Sequence, residues 1–279
     1  MKIIDFHTHC FPDKIAHNAI SALASAAHLE PAYYGKTTEL AASMKETDIF
    51  RSVVLSIATN PAQTPKVNDF AISINQGRFI AAGSVHPEFE DYKGEIDRLK
   101  ANGIKILKFH PEYQQFHVDE ERMLPIYEYA AKSGLLMVFH AGGDLGFEPP
   151  FHSSPKQFAK VAGLLPEAIF VLAHMGGFQM EKEADALIDY KNLYLDTSFC
   201  LSDYYLQKEG GSILTTQAEH FSGGPFFDIT EAVGHRRILF GSDAPWAKQK
   251  DYVRIFDLLP LPDAKKQAIL YDNAADLLR

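Results

Sequence analysis

The chain has 279 residues, with 36 Asp+Glu against 27 Lys+Arg for a formal charge of −9; it is 46% hydrophobic and 23% charged. That is the composition of an ordinary globular protein, not a disordered or fibrous one, and no apolar run approaches the roughly 18 residues that span a bilayer. The acidic balance, with no basic stretch of five residues, argues against nucleic acid or an anionic membrane as partner. The segment Met1-Lys2-Ile3-Ile4-Asp5 puts an acid where a secretory leader would continue its apolar run, so a cytoplasmic protein is expected. Cys10 and Cys200 are the two cysteines, expected as free thiols because a chain of this length buries a core without stapling.

In chain order, short β-rich apolar runs occupy residues 2–6, 51–57, 79–85, 104–109, 135–139, 168–173, 192–197 and 237–241. Most are near-continuously apolar, as strands buried on both faces of a parallel sheet read. Helical patterns alternate with them, among them 94–101, 120–132, 155–165 and 181–190, and another over 263–278 closes the chain. The runs recur about every 34 residues, the length of one strand, one helix and two loops. A single (β/α)8 TIM barrel over residues 1–279 is the expected fold. The alternative, an open doubly wound sheet, lacks any GxGxxG or Walker A sequence after a strand. Two steps are long, 10–49 after strand 1 and 199–234 after strand 7. The Gly- and Pro-punctuated second one reads as a loop-rich insertion over the active face.

Candidate chemistry sits at strand ends. Asp5-Phe6-His7-Thr8-His9 closes strand 1, and two histidines two apart on an extended chain project to one side. With 12 histidines in the chain, such a pair needs context. His140 ends strand 5, His174 strand 6 and Asp243 strand 8. In a (β/α)8 barrel these positions converge on the C-terminal, catalytic face. Small residues follow each of them, in Ala141-Gly142-Gly143, Met175-Gly176-Gly177 and Ala244-Pro245, letting the backbone turn away and leave room for a ligand. Singly, each histidine reads equally as a hydrogen-bonded core residue; the set points to a site. Three imidazoles and a carboxylate suit Zn²⁺ or a similar divalent ion with a water.

Seven segments carry a family resemblance: Asp5-Phe6-His7-Thr8-His9, Lys108-Phe109-His110-Pro111, Phe139-His140-Ala141-Gly142, Leu172-Ala173-His174-Met175-Gly176-Gly177, Tyr194-Leu195-Asp196-Thr197-Ser198, Phe240-Gly241-Ser242-Asp243 and Asn273-Ala274-Ala275-Asp276-Leu277-Leu278. In this order, over essentially the whole chain, they resemble the amidohydrolase-related (amidohydrolase 2) branch of the metal-dependent amidohydrolase superfamily, which includes aminocarboxymuconate semialdehyde decarboxylase-like enzymes. The resemblance implies His7, His9, His140 and Asp243 as metal ligands and His174 as the proton-transferring residue. It does not specify a substrate. Lys108 shares a strand face with Ile106 and His110, and three readings are open for it. It snorkels to the rim, binds a substrate carboxylate as a cation, or, carboxylated as in some superfamily members, bridges two metals.

His86 and His110, each before a proline, end strands 3 and 4 and are candidates for the pocket mouth or simple turns. Glu148 and His152 lie on the loop after His140 and read mainly as a solvated face. Asp196 reads as a residue that orients a ligand or a strand end, Cys10 as an inert buried thiol, and Trp246 as pocket wall or ordinary packing.

The first functional reading is a metal-dependent hydrolase acting on a small, carboxylate-bearing molecule through a metal-activated water, with Asp243 and His174 moving protons. The alternative is a metal-dependent nonoxidative decarboxylase using the same site. A third is a catalytically silent metal-binding protein on a barrel scaffold. The expected partner is a small-molecule substrate, and a homo-oligomer stays open.

Overall fold

The computed structural model describes residues 2–202 and 224–279. All eight expected strands are present: β1 (Ile3–Thr8), β2 (Ile49–Leu55), β3 (Phe79–Ala82), β4 (Ile106–Phe109), β5 (Leu136–Phe139), β6 (Phe170–Leu172), β7 (Leu193–Asp196) and β8 (Ile238–Leu239). They pair in parallel in chain order within two ladders, β1 to β3 and β4 to β8. Two seams join the ladders. Between β3 and β4 the Gly83 N–H donates to Ile106 O (2.9 Å) and the Lys108 N–H to Gly83 O (2.7 Å). Between β8 and β1 the Phe6 N–H donates to Phe240 O (2.7 Å) and the Asp243 N–H to His7 O (2.9 Å). The ring is therefore closed, as the eight-fold repeat predicts.

Helices cover the outside. The insertion after β1 carries α1 (Asp13–Ala27) and α2 (Thr37–Lys45). Then come α3 (Thr64–Ile74), α4 (Tyr92–Ala101), the short α5 (Pro111–Gln114), α6 (Leu124–Lys132) and α7 (Pro155–Leu164). After β7 comes α8 (Gly224–Val233), and α9 (Gln249–Leu258), α10 (Asp263–Gln267) and α11 (Asn273–Leu277) follow β8. Most of the expected insertion after strand 7, residues 203–223, lies outside the described residues. Among the described residues no helix is long and apolar enough to cross a membrane.

Strand alternation sorts the core into two layers. Ile4, Phe6, Val53, Leu55, Ile106, Val138, Val171 and Leu239 fill the barrel. Val54, Leu107, Phe109, Met137, Phe139, Phe170, Leu172 and Leu195 face the helical shell. Lys108 continues the inward register of Ile106, and His140 that of Val138, which brings both to the mouth.

Boundaries depart from the sequence pattern for identifiable reasons. The third run reads as strand to Val85, but β3 stops at Ala82, because the Asn68 side chain takes both the Ser84 N–H (2.8 Å) and the Ser84 carbonyl (2.9 Å). Gly83 is required there: a Cβ would lie 2.5 Å from the Leu99 side chain. The pattern over 181–190 forms a 3₁₀ helix over Glu181–Leu187 instead of an α-helix. The closing helix is interrupted by a π-turn over Ala268–Asp272, where the Ile269 carbonyl accepts the Phe240 N–H (3.0 Å) and ties the helix to β8.

Arg237 sets the start of β8. Its buried guanidinium donates to the carbonyls of Val233, Ile188, Tyr190 and Leu187, linking the segment that precedes β7 to the one that precedes β8. Arg237→Ala leaves these acceptors without their charged donor and should destabilise the fold by about 3 kcal/mol, measurable by denaturant titration.

Candidate active site

A β-bulge decides where the histidine pair points. Asp5 pairs with Ser52 and Thr8 with Val54, so β1 spends three residues against two of β2. By strict alternation Phe6 faces inward and His7 outward. The extra residue rotates the strand end and turns both His7 and His9 into the mouth, a common use of bulges beside functional sites. Their rings lie 5.1 Å apart, edge to face.

Asp196, fully buried at the end of β7, holds this arrangement. Its Oδ2 accepts the His7 Nδ1 proton at 2.8 Å. Its Oδ1 accepts the backbone N–H groups of His174 (3.2 Å) and Ser198 (2.9 Å) together with the Ser198 hydroxyl. Gly241 makes room, since a Cβ there would come within 2.9 Å of the His7 Cβ and 3.4 Å of the Asp196 carboxyl. Asp5 performs a parallel task for β8. It accepts from Ser242 N (2.9 Å), Ser242 Oγ (2.6 Å) and Gln249 Nε2 (2.7 Å), fixing the segment that leads into Asp243. Burial pushes the Asp5 carboxyl up to about 6 against the pull of these hydrogen bonds.

The ring tautomers follow from fixed acceptors. His7 Nδ1–H is committed to Asp196, and His9 Nδ1–H to Leu55 O at 2.9 Å. His174 Nδ1–H is committed to Ser198 O at 2.9 Å, and His140 Nε2–H to Gly143 O at 2.8 Å. Four bare ring nitrogens therefore face inward. His7 Nε2 and His9 Nε2 lie 3.5 and 3.2 Å from Asp243 Oδ1; His140 Nδ1 and His174 Nε2 lie 3.1 Å from each other. Burial keeps the His7, His140 and His174 rings neutral. It lowers His7 well below the ordinary histidine range, with Lys108 adding to the effect. It lowers His140 to about 3 with help from His110, and His174 to about 4 with help from His140. Burial alone would raise Asp243, but His7, His9 and His174 outweigh it and hold the carboxyl well below the usual range.

Lone pairs pointing at lone pairs and at a carboxylate repel unless a cation lies among them, so this donor set fits a divalent metal ion. His7, His9 and Asp243 present ligand atoms all within 4.8 Å of one another. His140, expected with them, lies outside that trio and beside His174, whose ring is 5.4 Å from that of His7. A second trio, His110, His140 and Asp144, meets the same distance criterion. It is filled by protons instead: His110 Nε2 donates to Asp144 at 3.1 Å, and His140 Nε2 is already bonded to Gly143.

Both His174 (φ 56°) and Asp243 (φ 65°) adopt left-handed backbone. This costs on the order of 1 to 3 kcal/mol at a non-glycine residue, and such conformations cluster at functional sites.

The cavity over these groups measures about 510 Å³. His7, His9, Lys108, His110, His140, His174 and Asp243 all line it, as does Trp246, here a pocket wall. Lys108 does not snorkel: it is 1% exposed. Burial, partly opposed by Asp196, Asp243 and Asp144, brings its amine down to about 8. Asp144, which the sequence reading passed over, also lines the cavity; the signal was its place directly after the Gly142-Gly143 turn at a strand end. Three residues that the sequence left open for the mouth or its loop do not line the cavity. His86 is buried off the cavity, its Nδ1 accepting the Glu88 N–H. Glu148 is exposed, and His152 stacks on His117 (4.3 Å) away from the pocket. Cys10 is buried with its thiol pushed up to about 12 by burial, so it is inert as expected, and no disulfide joins it to Cys200.

The family model described as "Amidohydrolase" matches residues 4–279. No curated protein matches the chain by sequence. Among solved structures, an uncharacterised TIM-barrel protein from Bordetella bronchiseptica is similar with a TM-score of 0.73 and 20% identity, the match covering 100% of this chain and 98% of that one. The 5-carboxyvanillate decarboxylase of Sphingomonas paucimobilis gives 0.70 and 16%, covering 100% and 99%. A dihydroxybenzoic acid decarboxylase from Polaromonas sp. JS666, with bound manganese and the inhibitor 2-nitroresorcinol, gives 0.69 and 15%, covering 99% and 96%.

Two substitutions test the site. His7→Ala should lose most bound metal, read as stoichiometry after dialysis against a metal buffer. Asp196→Asn should weaken metal affinity about 10- to 100-fold, because the His7 ring loses the partner that sets its tautomer; a free-metal titration measures it.

Proposed function

The chain belongs to the amidohydrolase family, and we propose that within it the protein is a metal-dependent, nonoxidative carboxy-lyase acting on a small aromatic or enoic carboxylate. One observation carries this reading: the cavity is divided into a metal-ligating floor that also holds a lysine, and apolar walls. The floor is the lone-pair cluster of His7, His9 and Asp243 with the buried Lys108 ammonium, and the walls include Phe11, Phe70, Phe178 and Trp246. A carboxylate bound at such a floor is stripped of water, and loss of CO₂ disperses its charge into a chamber that solvates concentrated charge poorly. Two of the structures similar in fold act on hydroxylated aromatic acids as decarboxylases, which supports the same choice.

His7, His9 and Asp243 would hold the ion, with His140 as a further ligand through Nδ1. When bound, a divalent ion supplies an electrophilic anchor that polarises the substrate's oxygens. The imidazole-rich donor set suits Zn²⁺, while the manganese in the Polaromonas structure makes Mn²⁺ its competitor; metal analysis of the purified protein decides. Lys108 Nζ, with no carboxylate within 4.0 Å among the described residues, is the charge left to orient the substrate anion. His174, its Nδ1–H fixed on Ser198 O, turns Nε2 inward. Nε2 carries no proton in the resting site; it takes one from solvent when a bound carboxylate beside it favours the charged ring, and passes it to the carbon that loses CO₂, regaining its lone pair. The apolar walls keep bulk water from protonating that carbon directly.

Hydrolysis, the first reading from the sequence, keeps one specific support: Asp243 Oδ1 lies at the centre of the cluster, where a carboxylate can take the proton of an attacking water. Turnover in ¹⁸O water separates the two. CO₂ release without label in the organic product is expected; label in a product carboxylate or hydroxyl would establish hydrolysis instead.

His174→Asn should retain metal while lowering kcat about 10²- to 10⁴-fold, the range for a lost proton donor. Lys108→Gln should raise KM for the carboxylate far more than it lowers kcat, read from steady-state kinetics on the metal-loaded enzyme.

A further inference from the structure

The roof of the cavity is longer than a one-ring substrate requires. It is formed by α1, which begins four residues after His9 and crosses the mouth. At its far end Ala26 packs beside Gly146, two residues past the cavity residue Asp144. Ile15, Ala19, Leu23 and Ala27 all line the cavity. Spaced four residues apart, they form a single stripe along one helix face, and at 1.5 Å per residue that stripe extends about 18 Å. Helix α3 also lines the cavity, through Lys66, Val67 and Phe70.

Helix α1 has apolar residues on two faces. Ala16 and Ile20 are fully buried against the protein. The second stripe meets the cavity instead: Ile15 remains 52% exposed, and Ala19 and Leu23 are half-buried. A single-ring carboxylate anchored at His7, His9, Asp243 and Lys108 covers less than half of this length and leaves most of the stripe bare. The alanine at position 19 adds to the space, because it puts only a methyl group on the roof.

We infer that the substrate is an extended carboxylate, in which the acid-bearing ring or enoic unit sits on the floor of His7, His9, Asp243 and Lys108 and a second apolar group, a further ring or an alkyl chain, lies under α1 between Ala19, Leu23, Val67 and Phe70. The head-group half rests on the carboxy-lyase reading; the tail half does not, and it is tested by binding.

The probes are benzoate and its 4-propyl, 4-butyl and 4-hexyl derivatives, titrated calorimetrically into the metal-loaded full-length protein. Each buried methylene should tighten binding about three- to fourfold, so 4-hexylbenzoate should bind at least about 30-fold tighter than benzoate. Ala19→Trp, which fills the chamber from its roof, should reduce that gain to less than about threefold while benzoate affinity and metal content stay as in the wild type. Leu23→Asn, which replaces an apolar side chain of the same stripe by a polar amide, should also reduce the gain and provides the test if the tryptophan variant does not fold. Equal affinity across the series overturns the inference. A gain that survives both variants also overturns it, because the tails then bind elsewhere. A gain lost in the variants, with no CO₂ from any carboxylate tested, supports the extended chamber and rejects the carboxy-lyase reading. CO₂ release from one-ring acids with no gain from tails does the reverse.

Discussion

The site depends on a single buried carboxylate. Asp196 is fully inaccessible and raised by burial, so its ionised form is tolerable only because donors from three segments converge on it. The His7 ring comes from β1, the His174 amide from the end of β6, and the Ser198 amide and hydroxyl from the turn after β7. Each of these bonds also positions a functional group. Stabilising the buried charge and presenting the bare His7 Nε2 are therefore one and the same set of contacts. A barrel brings neighbouring strand ends close enough for such a hub, and Gly241 on β8 keeps the intervening space clear.

The cost of the arrangement is spread over the strand ends. Left-handed backbone at His174 and Asp243 is unfavourable locally, and it persists because neighbouring bonds over-determine both positions. The His174 amide is held by Asp196, and the Asp243 amide by His7 O. Asp5, through Ser242 and Gln249, fixes the approach to Asp243 from below. Four imidazoles, each with one N–H engaged on a fixed protein acceptor, and a carboxylate form a surface that attracts a cation.

The same burial that keeps the imidazoles neutral sets the character of the chamber above them. Lys108 remains the one cation among the described residues at the floor, and aromatic side chains make up much of the wall. The mouth is thus suited to an anion that arrives with its own apolar body, in spite of a net charge of −9 for the whole chain, because the local field and not the total charge governs binding in a cleft. The insertion after β1 begins directly after the second histidine of the pair and carries the helical roof, so the candidate ligands and the roof of the cavity are joined by one short stretch of chain.

The repeat of apolar runs and the placement of His7, His9, His140, His174 and Asp243 at run ends were enough to read a (β/α)8 barrel with a convergent site. Strand periodicity and the polar residues that end it are local properties of the chain. The sequence also showed that Lys108 shares a strand face with Ile106, since alternation along a strand is local as well; that this face points into the barrel is seen only in the fold. What tertiary structure alone decided is how these groups meet. The β1 bulge is set by pairing with β2, so no local pattern could announce that His7 turns inward. The tautomers depend on acceptors such as Asp196, 189 positions away from His7. Asp144 enters the site through a hydrogen bond to His110, 34 positions earlier, while His86 leaves it because its loop folds back on Glu88. The separation of His140 from the His7, His9 and Asp243 trio, and the extended roof of α1, likewise arise from where strand ends and helices pack in space, which is set by the closure of the barrel and not by any single segment.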